Sequence, residues 1–244
     1  MFEPRLALAS LSGEADAEWA RGGLPHAGAA FLGGVALDGP TRAAAREMVA
    51  DRDRTEFLPE DPVAFVDGQL AALAETPLRP AVNVRAVEAD PLRRAAAVCA
   101  DRGAVCEVNA HCRQEEMCAA GAGETLLRDA ERLREQVAVA AGTGATVSVK
   151  VRAEVPGVDL PALAARLADA GADAVHVDAM DSEPVVAAVA EAADCFLIAN
   201  NGVRDRATVR EYLEFGADAV SVGRPSDDPA VLARVHDAVT EWFG

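Results

Sequence analysis

LPALAARLADAGADAVHVD (residues 160–178) reads as one complete helix–turn–strand unit. Leucine and alanine recur at helical spacing across Leu160–Ala170. Gly171 then stands where a helix end needs left-handed backbone. The run Asp173–Asp178 that follows is apolar enough to be a buried strand. The same word, Gly-Ala-Asp-Ala-Val, returns at Gly216–Val220. There it joins the helical pattern Asp205–Phe215 to the run Asp218–Gly223. Two such units predict strict alternation of helix and strand, and so right-handed parallel connections.

Six more strand-like runs lie outward from this pair: Arg5–Ser10, Ala27–Leu32, Pro80–Arg85, Ala104–Asn109, Thr146–Arg152 and Cys195–Asn200. Further helical periods fall at Ala15–Arg21, Pro62–Ala74, Pro91–Arg102, Glu124–Ala141, Glu183–Ala192 and Asp228–Phe243. Val35–Pro59 reads as a loop–helix insert after the second strand. Eight alternating strands in 244 residues predict an α/β protein, a (β/α)8 TIM barrel forming one domain over residues 1–244. An open doubly wound sheet is the structural alternative.

The formal net charge is −17, which argues against an unaided nucleic-acid surface. Of 23 basic residues, 22 are Arg and only Lys150 is Lys. Surplus acid with almost no lysine suggests a salt-loving host. The five cysteines are scattered and odd in number, no secretory signal precedes them, and no apolar run is long enough to span a membrane. A cytoplasmic protein with reduced thiols is therefore expected. Cys106, Cys112 and Cys118 are equally spaced, a pattern that fits none of the usual metal-binding motifs, so no metal is expected.

In a barrel, chemistry belongs at the C-terminal ends of the strands. Here those ends carry Asn83 and Arg85, Asn109, His111 and Cys112, Lys150 and Arg152, His176 and Asp178, Asn200 and Gly202, and Gly223 and Arg224. Lys150 keeps a lysine in a chain that otherwise uses arginine, which points to a slim point charge or an amine of movable pKa. Cys112 is the candidate reactive thiol. Cys106, inside a strand, reads as core. Strand parity puts His176 and Asp178 on one face. The turns after strands seven and eight are where barrels commonly bind phosphate through backbone N–H groups.

The segment EVNAHCRQEEMCAAGAGETLL (residues 107–127) resembles the signature loop of the tRNA-dihydrouridine synthases. VSVKVR, HVD, IANNGV and SVGR resemble that family's later motifs and occur in the same order, so the likeness spans roughly Pro80–Arg224. His111 and Arg113 depart from the family's Gly and Pro around the cysteine. The resemblance implies an FMN-dependent barrel that reduces or oxidises a pyrimidine C5–C6 double bond, with NADPH or NADH as electron donor. It implies Cys112 as proton donor, with Lys150 beside it in the catalytic pair. Asn83, Lys150, His176 and Asn200 would contact FMN, and Gly202, Gly223 and Arg224 would hold its phosphate. Asn109, His111 and Arg113 would meet the substrate, either tRNA or a free pyrimidine. Net acidity, and the lack of the family's helical RNA-binding domain after the barrel, weigh toward the free pyrimidine. Two alternatives stay open: a phosphometabolite lyase or isomerase using Lys150 as a Schiff-base amine, and a non-catalytic flavin-binding relative.

Overall fold

The computed structural model describes every residue except Asp53. Eight parallel strands close into a barrel in sequence order: β1 (Leu6–Leu8), β2 (Ala29–Ala36), β3 (Arg79–Arg85), β4 (Val105–Asn109), β5 (Thr146–Arg152), β6 (Ala174–Asp178), β7 (Phe196–Asn200) and β8 (Ala219–Val222), with β8 paired back to β1. The closed barrel excludes the open-sheet alternative. The helices are α1 (Ala17–Gly22), α2 (Gly39–Asp51), α3 (Pro62–Ala71), α4 (Ala89–Asp101), α5 (Glu115–Ala119), α6 (Thr125–Arg128), α7 (Ala130–Ala141), α8 (Leu160–Asp169), α9 (Val185–Ala192), α10 (Arg206–Glu214) and α11 (Pro229–Phe243). No described helix is long and apolar enough to cross a membrane.

The repeated Gly-Ala-Asp-Ala-Val word has a physical cause. Gly171 and Gly216 both take positive φ, 105° and 91°, and end α8 and α10. The aspartate that follows clamps the start of the preceding strand. Asp173 donates its N–H to the Val147 carbonyl and accepts the Val147 N–H on Oδ2, both at 2.8 Å. Asp218 does the same to Leu197, at 2.9 and 2.8 Å.

Each strand is buried on both faces, as parallel barrel strands must be. Outward residues such as Val82, Val108, Val149, Val177 and Val220 pack with the helices. Inward residues Ala7, Ala29, Phe31, Ala81, Val105, Ile198 and Ala219 fill the lower barrel with Phe2. Above that apolar plug the inward positions turn polar, and the site begins there. Cys106 is core, as expected.

Two elements differ from the sequence reading. The second strand does not stop at Leu32 but continues to Ala36, with a register shift between Gly33 and Val35. The Gly33–Gly34 pair thus lies at a bulge inside the strand. The insert then supplies α2, and its residue 53 lies outside the described residues. The predicted helix Glu124–Ala141 is broken into α6 and α7 at Asp129. Asp129 leaves helical geometry and accepts the Arg132 N–H, so it caps α7 instead of continuing α6.

Candidate active site

Glu107 is the centre of the polar layer. It is fully buried on β4, and its carboxylate accepts three side-chain hydrogen bonds. Asn83 Nδ2 donates to Oε1 at 2.7 Å, while Ser148 Oγ and His176 Nδ1 donate to Oε2 at 3.1 and 2.8 Å. Strands β3, β5 and β6 are thereby tied to β4 through one residue. The chain of donors extends outward in both directions. Asn109 Nδ2 donates to Asn83 Oδ1 at 2.7 Å. On the other side, Ser221 lies 2.7 Å from His176 Nε2, and Asn200 Nδ2 donates to Ser221 Oγ at 2.9 Å.

A carboxylate accepts only, so His176 carries its proton on Nδ1 and Nε2 takes the Ser221 hydroxyl proton. Burial, together with the Lys150 charge, pushes the His176 pKa down to about 4, against the pull of Glu107. The imidazole is neutral. Burial raises the Glu107 carboxyl, but His176, Lys150 and Asn83 overcome this and hold it below the ordinary range. Lys150 is buried too, and burial lowers its pKa despite Glu107 and Asp178. Among the described residues no hydrogen bond fixes its amine.

Over this layer lies a cavity of about 1040 Å³. Its lining reverses the charge of the protein: among the described residues Lys150 and six arginines face it, against Glu14 and Asp178. In a chain of net charge −17, such a cleft concentrates anions. Arg152 pairs with Glu124 at 2.7 Å, while Arg113 and Arg224 have no acid partner among the described residues.

Cys112 reaches the cavity from the loop after β4 and is 7 % exposed. Asn109 shapes that loop by accepting the N–H groups of His111 and Cys112 on Oδ1, at 3.1 and 2.9 Å. Gly123, at φ 60°, passes so close that a Cβ there would lie 2.1 Å from the Cys112 carbonyl oxygen. The loop is therefore pinned from both sides. Cys118 belongs to α5, a helix unforeseen in the sequence, and its thiol donates to the Cys112 carbonyl. His111 Nε2 donates to Asp178 Oδ2 at 2.5 Å across the cavity mouth. Desolvation lowers the His111 pKa, with Asp178 opposing it.

At the far sector, Gly202 takes φ 65°, and a Cβ on it would meet nothing closer than Arg204 at 3.8 Å. Among the described residues, the backbone N–H groups of Gly202, Val203, Gly223 and Arg224 have no protein acceptor. Asn200, Gly202, Gly223 and Arg224 all line the cavity.

The structure thus brings Cys112, Lys150, Asn109, His111, Arg113, Asn200, Gly202, Gly223 and Arg224 to one cavity. Asn83 and His176, expected beside the cofactor, are not among the residues that line it. Both are fully buried beneath the cavity floor with their polar atoms committed to neighbours, so they support the floor from below. Sequence reasoning did not single out Glu107, Ser148 or Ser221. The available signal was an acid and two hydroxyls at inward positions of otherwise apolar strands. It also missed Ser12, Arg54 and Glu56, which come from the loops after β1 and β2.

No family model matches the chain. An uncharacterized protein of Methanocaldococcus jannaschii is 27% identical over 235 residues, covering 91% of this chain and 89% of that one. Morphinone reductase in complex with tetrahydroNAD superposes with a TM-score of 0.66 at 16% identity, covering 95% of this chain and 87% of that one. The M276A mutant of FabK from Thermotoga maritima superposes at 0.60 with 15% identity, over 91% of this chain and 61% of its own length. The present chain therefore spans less than two thirds of FabK. At these identities the likeness establishes a shared (β/α)8 barrel.

Proposed function

We propose that this protein is an FMN-dependent oxidoreductase of the dihydrouridine-synthase type, acting on the C5–C6 double bond of a pyrimidine. The observation that carries this reading is the common opening of Cys112, Lys150 and the β7–β8 turns onto one cavity. Ligand pockets run to roughly 300–1,000 Å³, so about 1040 Å³ leaves room for a cofactor and a substrate together.

The residues present fit FMN. Unpartnered N–H groups at Gly202, Val203, Gly223 and Arg224 form a cradle open to a phosphate, and Arg224 adds charge. Lys150 would lie against the flavin or the pyrimidine carbonyl edge, and Asn200 against the flavin. Bound FMN would supply hydride exchange at one carbon of the double bond. Cys112 would give its Sγ proton to the other carbon and be left as a thiolate. Asn109 holds the thiol in place through the loop amides. His111 and Arg113 flank the thiol on the substrate side. Morphinone reductase, a similar barrel, is a reductase bound to tetrahydroNAD, which accords with NADH or NADPH as electron source. The acidic exterior favours a free pyrimidine over tRNA.

The test is the visible spectrum of the purified protein, with mass analysis of what it releases on denaturation. Released FMN supports the proposal. A colourless protein that takes up no added FMN overturns it.

One observation favours a second reading, a lyase or isomerase acting on a phosphorylated carbonyl compound. The Lys150 amine is buried, has a lowered pKa and makes no protein hydrogen bond, all of which suit Schiff-base formation. Borohydride trapping of a carbonyl substrate on Lys150 would distinguish the two.

A further inference from the structure

The cavity wall formed by the loops after β1 and β2 and the end of β3 contains a built site that the flavin reading does not use. Ser12 Oγ lies 2.9 Å from Arg54 Nη2 and 2.9 Å from Arg85 Nη2, and accepts from both. A hydroxyl oxygen has two lone pairs, so both are taken. Its own proton remains, and no acceptor for it exists among the described residues. Ser12 faces the cavity, so that proton is offered to whatever enters.

Charge points the same way. Arg54 and Arg85 share one carboxylate: Glu56 Oε1 takes Arg54 Nε at 2.9 Å, and Oε2 takes Arg85 Nη1 at 2.6 Å. Among the described residues, these two guanidinium groups pair with one acid and leave a single positive charge, and Arg85 and Glu56 are buried. A residual buried charge is costly unless an opposite charge joins it. Two further acids lie nearby among the described residues: Glu14 is exposed at the rim, next to Thr55, where solvent screens it, and Glu116, within reach of Arg54, is already paired with Arg52 at 2.8 Å.

The arrangement is rigid. Gly13 donates to the Thr55 carbonyl, and a Cβ on Gly13 would lie 2.5 Å from Glu56 N. The two loops therefore touch backbone to backbone, as only glycine allows. Ser12 itself sits at φ 57°, a conformation rare outside glycine, and this holds its hydroxyl at the Arg pair.

We propose that Ser12, Arg54 and Arg85 form a carboxylate-binding subsite, so that the substrate taken beside the cofactor is a small organic acid. One residual charge and one free hydroxyl proton match a monoanion. The amide cradle at β7–β8 is a different sector of the rim, suited to phosphate. Arg85 also lies within electrostatic reach of Cys112, so an acid anchored here stands beside the thiol. The proposal rests on the flavin reading only in assigning the cradle to the cofactor.

The full-length protein is first titrated with FMN. Calorimetry then compares uracil-6-carboxylate with uracil, and benzoate with benzamide, with and without FMN. The acid of at least one pair is expected to bind ten-fold or more tightly than its neutral partner. Ser12→Ala and Arg54→Gln should each remove most of that preference while leaving neutral affinity within two-fold. Arg54 is at the partly exposed end of the cluster, so its variant tests the site even if Ser12→Ala folds poorly. Equal affinities within both pairs, no binding of either acid, or a preference untouched by the variants would overturn the proposal. Failure to take up FMN sinks the flavin reading alone, because the acid preference is measured in the FMN-free protein as well.

Discussion

His176 donates its Nδ1 proton to Glu107 Oε2 across 2.8 Å in the middle of the barrel, where neither side chain is exposed. The neutral imidazole follows from burial and the Lys150 charge, whereas the carboxylate stays ionised against burial because His176, Lys150 and Asn83 hold it there. Stability should therefore depend on pH in a defined window. The His176 pKa is depressed from 6.5 to about 4, so the unfolded chain binds the extra proton between those values. The linked stability is fully present above pH 6.5 and is lost as pH falls to about 4, worth roughly 3 kcal/mol at most. Glu107, with its lowered pKa, adds a loss of the same sign at lower pH. Urea denaturation at pH 7 and pH 5 should show the drop, and His176→Gln should flatten it. An unchanged slope in that variant would remove His176 as the cause.

Glu107→Gln should be worse than its size suggests. One end of the amide must present N–H to Asn83 Nδ2, or to Ser148 and His176, all of which donate now. Facing donors and an uncompensated Lys150 should cost about 3–5 kcal/mol. Chemical denaturation measures this directly, and a loss under about 1 kcal/mol would contradict the network described.

Gly34→Ala tests the bulge in β2. A Cβ there would stand 2.7 Å from Asn83 Oδ1, which Asn109 holds, and 2.9 Å from Arg85 Nε, whose guanidinium is fixed through its two Nη atoms by Glu56 and Ser12. The expected destabilisation is about 1–3 kcal/mol, read as a lower Tm. A neutral result would mean that the β3 side chains can yield.

Cys112→Ala should leave the fold and any bound flavin in place and lower turnover by roughly 10²–10⁴-fold, the usual size of a general-acid contribution. Steady-state kinetics with a pyrimidine acceptor checks it. An unchanged rate would take the thiol out of the mechanism.

The barrel was legible because its signal is local and repeated. Eight short apolar runs, two of them led in by the same five residues, leave little choice of topology. Parity also placed His176 and Asp178 on one face, as the structure has them. What the pattern could not separate was depth along that face. Asn83 and His176 share inward parity with Arg85 and Asp178 but lie one step lower, where the barrel has closed over them. Glu107 escaped notice for a related reason, since one acid in Val105–Asn109 makes no period of its own. The Ser12–Arg54–Arg85 cluster assembles residues from three separate segments, and only the closed barrel brings them together.

The aspartates of the two Gly-Ala-Asp-Ala-Val words lock β5 and β7 at the ends where those strands begin, away from the cavity. Alignment of the second half of the barrel is thus decided at its floor, before the chain reaches the rim. Side chains at the rim are thereby relieved of part of the task of keeping the strands in step. The upper loops can exchange one ligand chemistry for another without loosening the frame that carries them.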